Sequence, residues 1–95
     1  PPSDQAKTAF ATLFRYTEEA GRDPNTIGID TRVSAGSGNE ADWREQVRFW
    51  KSIGVTHLTL ANYYASGHLH RIDGRSLADH IAAMRRYWNA VADLL

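Results

Sequence analysis

Four residues that could bind or orient a small molecule stand at or just after the ends of two β-rich segments. Arg32 and Ser34 close the first segment, and Asn62 and Tyr64 follow the second. A guanidinium can hold an anionic group, whereas hydroxyl and amide groups orient a ligand through hydrogen bonds. If both segments are parallel strands, these side chains gather at one edge of the sheet, where such folds bind ligands. An ion pair between Arg32 and Asp30 or a neighbouring strand is an equally supported alternative.

Histidines offer a second kind of chemistry. His68 and His70 form an H-x-H pattern that could supply two metal ligands, with Asp73 as a third. Loop histidines are more often solvated or hydrogen-bonded, so we predict no metal site and assign both residues to the mouth of the same pocket. For His57, near the start of its strand, a packed and hydrogen-bonded side chain is favoured over a catalytic one.

No catalytic residue is assigned, because no serine–histidine–acid set and no carboxylate pair stands out. The segment SAGSGNE, residues 34–40, raises the question of a phosphate cradle, since a glycine loop before a helix can hold a phosphate. Glu40 and Asp42 put negative charge at that helix start, where it would repel a phosphate. We therefore predict a loop followed by a self-capped helix.

Composition narrows the class of protein. The 95 residues are 42% hydrophobic, which suits one compact domain, or part of one, over residues 1–95. Eleven basic residues balance eleven acidic ones and are scattered, so neither nucleic acid nor membrane is an expected partner. The absence of cysteine from the sequence excludes disulfides and cysteine-ligated zinc, and it suits a cytoplasmic protein. The sequence contains no long apolar run and no signal-like segment.

Hydrophobic periodicity predicts five elements in the order helix, strand, helix, strand, helix. The first helix runs from about Asp4 to Ala20 after an N-cap at Ser3, and Gly21 ends it. Strands are predicted at Ile27–Val33 and Val55–Asn62 from their alternation and their β-branched content. Predicted capping boxes at Asn39 and Ser76 start the other two helices. Their apolar stripes are Trp43, Val47, Trp50 and Ile53 in one, and Leu77, Ile81, Met84, Trp88, Val91 and Leu95 in the other.

Two strands joined by a helix form a parallel βαβ unit. Each strand also has a polar face, formed by Gly28, Asp30 and Arg32 in one and by His57, Thr59 and Ala61 in the other. An open sheet with helices on both faces has strands that are apolar throughout. The interior of a (β/α) barrel accepts polar side chains near its mouth, so the pattern favours consecutive units of such a barrel. Two strands cannot close a barrel, and the prediction is therefore a partial domain.

The chain resembles the C-terminal end of the luciferase-like monooxygenase family, the bacterial-luciferase-type flavin- or deazaflavin-dependent oxidoreductases. The resemblance rests on AGRDPNTIGI, the tryptophan of the next helix, SIGVTHLTL, and a closing helix after a loop that contains GHLH. It extends over nearly the whole chain and corresponds to about the last third of a typical barrel of this family. It implies an α/β fold in which the chain supplies strands seven and eight of a TIM-type barrel.

The resemblance also implies a function. Family members use reduced flavin mononucleotide (FMN) or a deazaflavin coenzyme to reduce or oxygenate a small organic substrate. This chain would form one wall of the substrate pocket and is expected to be inactive and free of cofactor by itself. The alternative is a non-catalytic fragment or small domain that acts only through self-assembly. In either case unpaired strand edges predict a homo-oligomer, a dimer or higher.

Overall fold

A computed structural model describes residues 2–62 and 70–95 and shows an α/β fold. Three helices surround one side of a two-stranded parallel sheet. Their bounds are α1 (Asp4–Glu19), β1 (Asp30–Val33), α2 (Glu40–Ser52), β2 (His57–Leu60) and α3 (Leu77–Val91), with short 3-10 turns at Pro24–Thr26 and Ala92–Leu94. The predicted order of elements and the parallel βαβ unit are confirmed.

The predicted helix starts are confirmed by their capping bonds. Ser3 Oγ accepts a hydrogen bond from the Ala6 amide at 3.1 Å, ahead of α1. At α2 the Asn39 side chain accepts from the Asp42 amide, while the Asp42 carboxylate accepts from the Asn39 amide. The same reciprocal pair joins Ser76 and Asp79 at α3. Each box satisfies amides that the first helical turn leaves without partners.

Both strands begin later than the sequence predicts, because side-chain and turn hydrogen bonds replace the ladder at their starts, and β2 also ends at Leu60 instead of Asn62. The Ile27 amide donates to the Pro24 carbonyl, which closes the 3-10 turn. The Ile29 amide then donates to Thr56 Oγ1 at 2.8 Å, a bond that occupies the position of a ladder bond. Regular pairing begins one residue later, with Asp30 opposite His57.

The two faces of the sheet differ in exposure. The register of the parallel sheet pairs Asp30 with His57 and Arg32 with Thr59, and all four residues are exposed on one face. We call these four residues the open sheet face. On the other face Val33 is buried beneath the helices at 2% exposure. The predicted division into one apolar and one polar face is observed for these residues, whereas Ala61, predicted on the polar face, follows β2 and is buried at 3% exposure.

The core lies between α2 and its neighbours. Its buried members are Val33, Trp43, Val47, Trp50, Tyr87 and Val91. The Trp43 ring stacks on the Tyr87 ring with centroids 5.0 Å apart, which joins α2 to α3. The ring centroids of Phe10 in α1 and Trp50 in α2 are 6.1 Å apart. These aromatic contacts attach both outer helices to α2.

A polar clamp reinforces the contact between α2 and the C-terminal segment. Arg44 binds both carboxylate oxygens of Asp93, at 2.6 and 3.0 Å, and also donates to the Ala90 carbonyl. The Arg44 hydrogen bonds hold the pKa of the Asp93 carboxylate below its ordinary value. The clamp is therefore complete at neutral pH, and its stabilisation is lost as the pH falls through that lowered pKa.

One sequence prediction about packing is wrong in part. The α3 stripe is predicted to be buried, yet Leu77, Met84, Trp88 and Leu95 are 77%, 53%, 60% and 61% exposed, and Val91 is the fully buried member. The helix turns Tyr87, which the stripe does not include, towards α2 beside Val91. The stack of Tyr87 on Trp43 fixes this rotation, because a large flat ring buries more area there than Met84 would. We call Leu77, Met84 and Trp88 the exposed α3 stripe.

No helix among residues 2–62 and 70–95 is long and apolar enough to cross a membrane.

Among the described residues, positive φ angles occur at glycines alone. Gly54, at φ 104°, follows α2 and lies against the Phe14 ring of α1. A side chain there would meet Phe14 Cζ at 2.8 Å, so glycine allows α1 to approach the end of α2.

The Tyr87 hydroxyl provides a test of this core. Tyr87 is 5% exposed, and its hydroxyl has no hydrogen-bond partner among the described residues. Burial raises the pKa of Tyr87 to about 12, so the phenol stays neutral. We predict that Tyr87→Phe leaves the free energy of unfolding unchanged or raises it by up to about 1 kcal/mol, because a desolvated, unbonded hydroxyl is removed. Urea denaturation measures the change.

Tyr16→Phe is the matched control, since Tyr16 is 58% exposed and its hydroxyl is solvated. It should change the free energy of unfolding by no more than about 0.5 kcal/mol. A loss of more than about 1 kcal/mol in Tyr87→Phe alone would show that the buried hydroxyl has a partner.

Candidate functional site

The carboxyl ends of β1 and β2 meet at one edge, as the sequence predicts, and two predicted site residues lie there. Ser34 and Asn62 are 3% and 6% exposed. Asn62 Oδ1 accepts a hydrogen bond from the Ala35 amide at 2.9 Å, and the Asn62 carbonyl accepts from the Ile72 amide at 3.1 Å. Asn62 therefore connects the end of β2 to the loop after β1 and to the segment that leads into α3.

Ser34 has a similar connecting role. Its hydroxyl donates to the His70 carbonyl and accepts from the Gly36 amide at 3.0 Å. The His70 amide in turn donates to Ser37 Oγ at 3.2 Å. The Ser34 hydroxyl and Asn62 Oδ1 are both bonded to loop backbone, so these two groups position the loops.

Arg32 belongs to the open sheet face. Beside it, Asp30 Oδ1 accepts a hydrogen bond from Thr59 Oγ1 at 2.8 Å, which links the side chains of the two strands. Acidic, basic and hydroxyl groups thus lie together on an exposed surface. This arrangement can bind a polar or anionic group through charge and hydrogen bonds.

His57 differs from the prediction of a packed side chain. Its ring is exposed on the open sheet face, and Nδ1 lies 2.7 Å from Thr56 Oγ1. The predicted hydrogen bonding is thus present, but the packing is absent because no described element covers this face. The exposed ring stands beside Gly28, where a Cβ would meet His57 Cε1 at 3.5 Å, an ordinary contact distance.

The remaining predicted site residues lie in or beside the loop after β2. Tyr64 and His68 fall outside the described residues. His70 is exposed, and its backbone provides the contacts described above. No group of three or more potential metal ligands occurs within residues 2–62 and 70–95. That finding covers Asp73 and His70 and does not include His68.

The glycine loop ends in a helix start that is capped by its own side chains. The Asn39 side chain binds the Asp42 amide, and Gly38 at φ 81° lies against the Asp42 carboxylate. Glu40 binds Arg86 at 2.5 Å, and this hydrogen bond lowers the pKa of the Glu40 carboxylate. Two carboxylates thus stand where a phosphate would need positive potential.

A cleft that the sequence does not indicate lies between this loop and α3. It has a volume of about 360 Å³, and its lining includes Gly36, Trp43, Arg71, Asp73 and Arg86. The Arg86 guanidinium is held 5.0 Å above the Trp43 ring as well as by Glu40. No spacing in the sequence reveals this cleft, because Glu40 and Arg86 are far apart in the chain and meet only through the packing of α2 on α3.

Close approach of two loops at the strand ends requires glycine at position 36. A Cβ there would collide with the backbone carbonyl oxygens of His70 and Arg71. We predict that Gly36→Ala lowers the free energy of unfolding by about 1–3 kcal/mol, because backbone atoms must move apart and strain the Ser34 bonds. Thermal and urea denaturation would measure this loss.

Gly28→Ala is the matched control, since its Cβ would meet His57 no closer than 3.5 Å. It should cost less than about 1 kcal/mol. Equal stability of Gly36→Ala and the parent chain would show that the loops do not approach as described.

The strand-end site therefore consists of two buried connectors, Ser34 and Asn62, beside the charged and hydroxyl groups of the open sheet face. Ser34, Asn62 and Arg32 lie near one edge, as the sequence predicts. Comparison with protein-family models, curated proteins and solved structures finds no match to this chain. Its function is accordingly argued from the chemistry and placement of these residues.

Proposed function

We propose that this chain is the C-terminal part of a luciferase-like flavin- or deazaflavin-dependent oxidoreductase or monooxygenase. Its βαβ unit would supply the last two strands of a TIM-type barrel, and its strand ends would form one wall of the pocket for a small organic substrate. The observation that supports this most directly is the two-faced sheet, with helices on one side and the open sheet face on the other.

A barrel accounts for that asymmetry. Strands of a (β/α) barrel are covered by helices outside and line a shared interior inside. Asp30, Arg32, His57 and Thr59 would then face the interior, where neighbouring strands supply partners for their polar groups. The open sheet face is exposed in the described part of the chain because only two strands are present there.

The proposal gives each site residue a role. Arg32 would contact an anionic group of the cofactor or substrate, since it belongs to the open sheet face near the carboxyl end of β1. Ser34 and Asn62 would hold the loops at the barrel mouth through the backbone bonds described above. Tyr64, His68 and His70 stay predicted pocket residues. The flavin or deazaflavin would supply the redox chemistry, and this chain's residues would bind and orient.

The proposal predicts that the 95-residue chain by itself does not bind FMN or a deazaflavin with submicromolar affinity. Capping boxes at α2 and α3 already bond two amides at each helix start and place the Asp42 and Asp79 carboxylates there, so both helix starts disfavour a phosphate. Fluorescence titration with each compound measures this. Submicromolar binding of either would contradict the assignment of the cofactor site to other strands.

The same proposal also makes a prediction about the protein isolated from its natural source. The protein isolated from its source should be longer than this 10.6 kDa chain and should bind flavin or deazaflavin. Intact-mass spectrometry and the absorption spectrum of that protein measure both properties. A native polypeptide of about 10.6 kDa would overturn the barrel proposal.

A second candidate function is a non-catalytic domain that acts through self-assembly in the cytoplasm. Two observations favour it. The described sheet has only two strands, so both β1 and β2 have an outer edge. The exposed α3 stripe adds apolar surface of the kind that marks protein interaction sites. Edges with unpaired backbone groups recruit further strands, and a second copy can supply them.

This second candidate predicts that the chain does not persist as a monomer at micromolar concentration. Pairing with a copy would satisfy strand-edge donors and acceptors and enclose part of the open sheet face. Light scattering after size exclusion measures the mass in solution. A monodisperse monomer with a cooperative thermal melt would show that the chain is stable with unpaired strand edges and would contradict this prediction.

A further inference from the structure

The order of charges along β1 suits antiparallel pairing with a second copy of the same strand. We propose that two chains associate through the outer edges of β1, in a register centred on Thr31, to form a four-stranded sheet. This inference rests on the second candidate function, because it gives that self-association a definite interface. It is independent of any flavin chemistry.

The hydrogen bonds of the sheet show which backbone groups of β1 point towards β2 and which point away from it. The His57 amide donates to the Ile29 carbonyl, and the Ala61 amide donates to the Val33 carbonyl. Residues of a strand direct their amide and carbonyl groups alternately to its two sides. The backbone groups of Asp30 and Arg32 therefore point away from β2, towards the side of β1 on which no described strand lies.

In an antiparallel pair centred on Thr31, Asp30 stands directly opposite Arg32 of the second copy, and Arg32 stands opposite its Asp30. The outward backbone groups of these residues then form two hydrogen-bonded pairs, and Thr31 faces its own counterpart between them. All four charged side chains lie on the open sheet face, so each cross-strand pair places opposite charges directly opposite each other. On the helix-covered face, Ile29 meets Val33.

Other registers of the same edge are disfavoured by the same charges. A pair centred on Asp30 would place two carboxylates opposite each other, and one centred on Arg32 would place two guanidinium groups opposite each other. Like charges in directly opposite positions destabilise a sheet. A shift by one residue would put the apolar face of one strand beside the polar face of the other. Of these registers, the one centred on Thr31 pairs opposite charges and also matches the faces of the two strands.

Two other surfaces could carry self-association, and they differ from β1 in charge. The outer edge of β2 runs through His57, Leu58, Thr59 and Leu60, which contain no acid–base pair. The exposed α3 stripe is apolar. Substitution of charge on β1 would leave an interface on either of these surfaces intact, so charge exchange distinguishes the three.

Charge exchange in the 95-residue chain tests the register. Asp30→Arg places two arginines opposite each other, and Arg32→Asp places two aspartates opposite each other. We expect each single variant to raise the dissociation constant of the homodimer by about tenfold or more. The double variant Asp30→Arg with Arg32→Asp restores opposite charges and should recover self-association. Sedimentation velocity from about 1 μM to about 1 mM measures each constant.

A mixture of the two single variants gives the sharpest readout. Their strands carry complementary charges, so the mixture should form a heterodimer although neither variant self-associates well. Loss of the Thr59 bond to Asp30 affects the monomer of Asp30→Arg and cannot produce this recovery. Exchange of the exposed α1 pair, Arg15→Glu with Glu19→Arg, is the matched control and should leave association unchanged.

The outcomes separate the register from self-association itself. Recovery in the mixture and in the double variant supports the Thr31 register. Association that is unaffected by every β1 exchange overturns the register and leaves the self-assembly function standing, with β2 or the α3 stripe as its surface. A parent chain that remains monomeric up to about 1 mM overturns both.

Discussion

Burial of the Trp43 side chain is the contact on which the rest of the described structure depends. Trp43 lies in the first turn of α2 and is 1% exposed. Its ring stacks on Tyr87 of α3, its indole nitrogen donates to the Ser37 carbonyl at 2.9 Å, and Arg86 covers it. A single side chain thus connects the loop after β1 to α2 and α3. A large aromatic body with one polar atom suits this position, because the ring fills the core while the nitrogen fixes the loop.

The strand-end site follows from that connection. Once the loop after β1 is held by Trp43, Ser34 and Gly36 can meet the backbone of His70 and Arg71, and Asn62 can bind both the Ala35 amide and the Ile72 amide. These bonds fix the geometry of an edge whose side chains are polar but already bonded. The open sheet face, by contrast, carries exposed charge, since Asp30 and Arg32 alternate with residues directed to the core.

The same packing leaves two kinds of surface uncovered in the described part of the chain. Helices cover one face of the sheet, so its strand edges and its polar face remain exposed. Rotation of α3 towards Trp43 exposes Leu77, Met84 and Trp88. Both surfaces are explained by further strands and helices of a longer barrel, and both are explained by a second copy. The two proposals differ in what lies beside β1, upstream strands in one and β1 of another chain in the other.

The sequence by itself determined the elements that depend on local interactions. Helix starts at Ser3, Asn39 and Ser76 were predictable because a cap needs only residues within one turn, and the two-faced strands were predictable from alternation. Contacts between distant residues were decided by the tertiary structure alone. The stripe Leu77, Met84 and Trp88 has helical spacing equal to that of a buried face, yet the Trp43–Tyr87 stack selected a different side of α3. The strand starts and the Arg86 cleft likewise depend on partners, Thr56 and Glu40, that no local pattern associates with them, because periodicity records which residues share a face and not what that face meets.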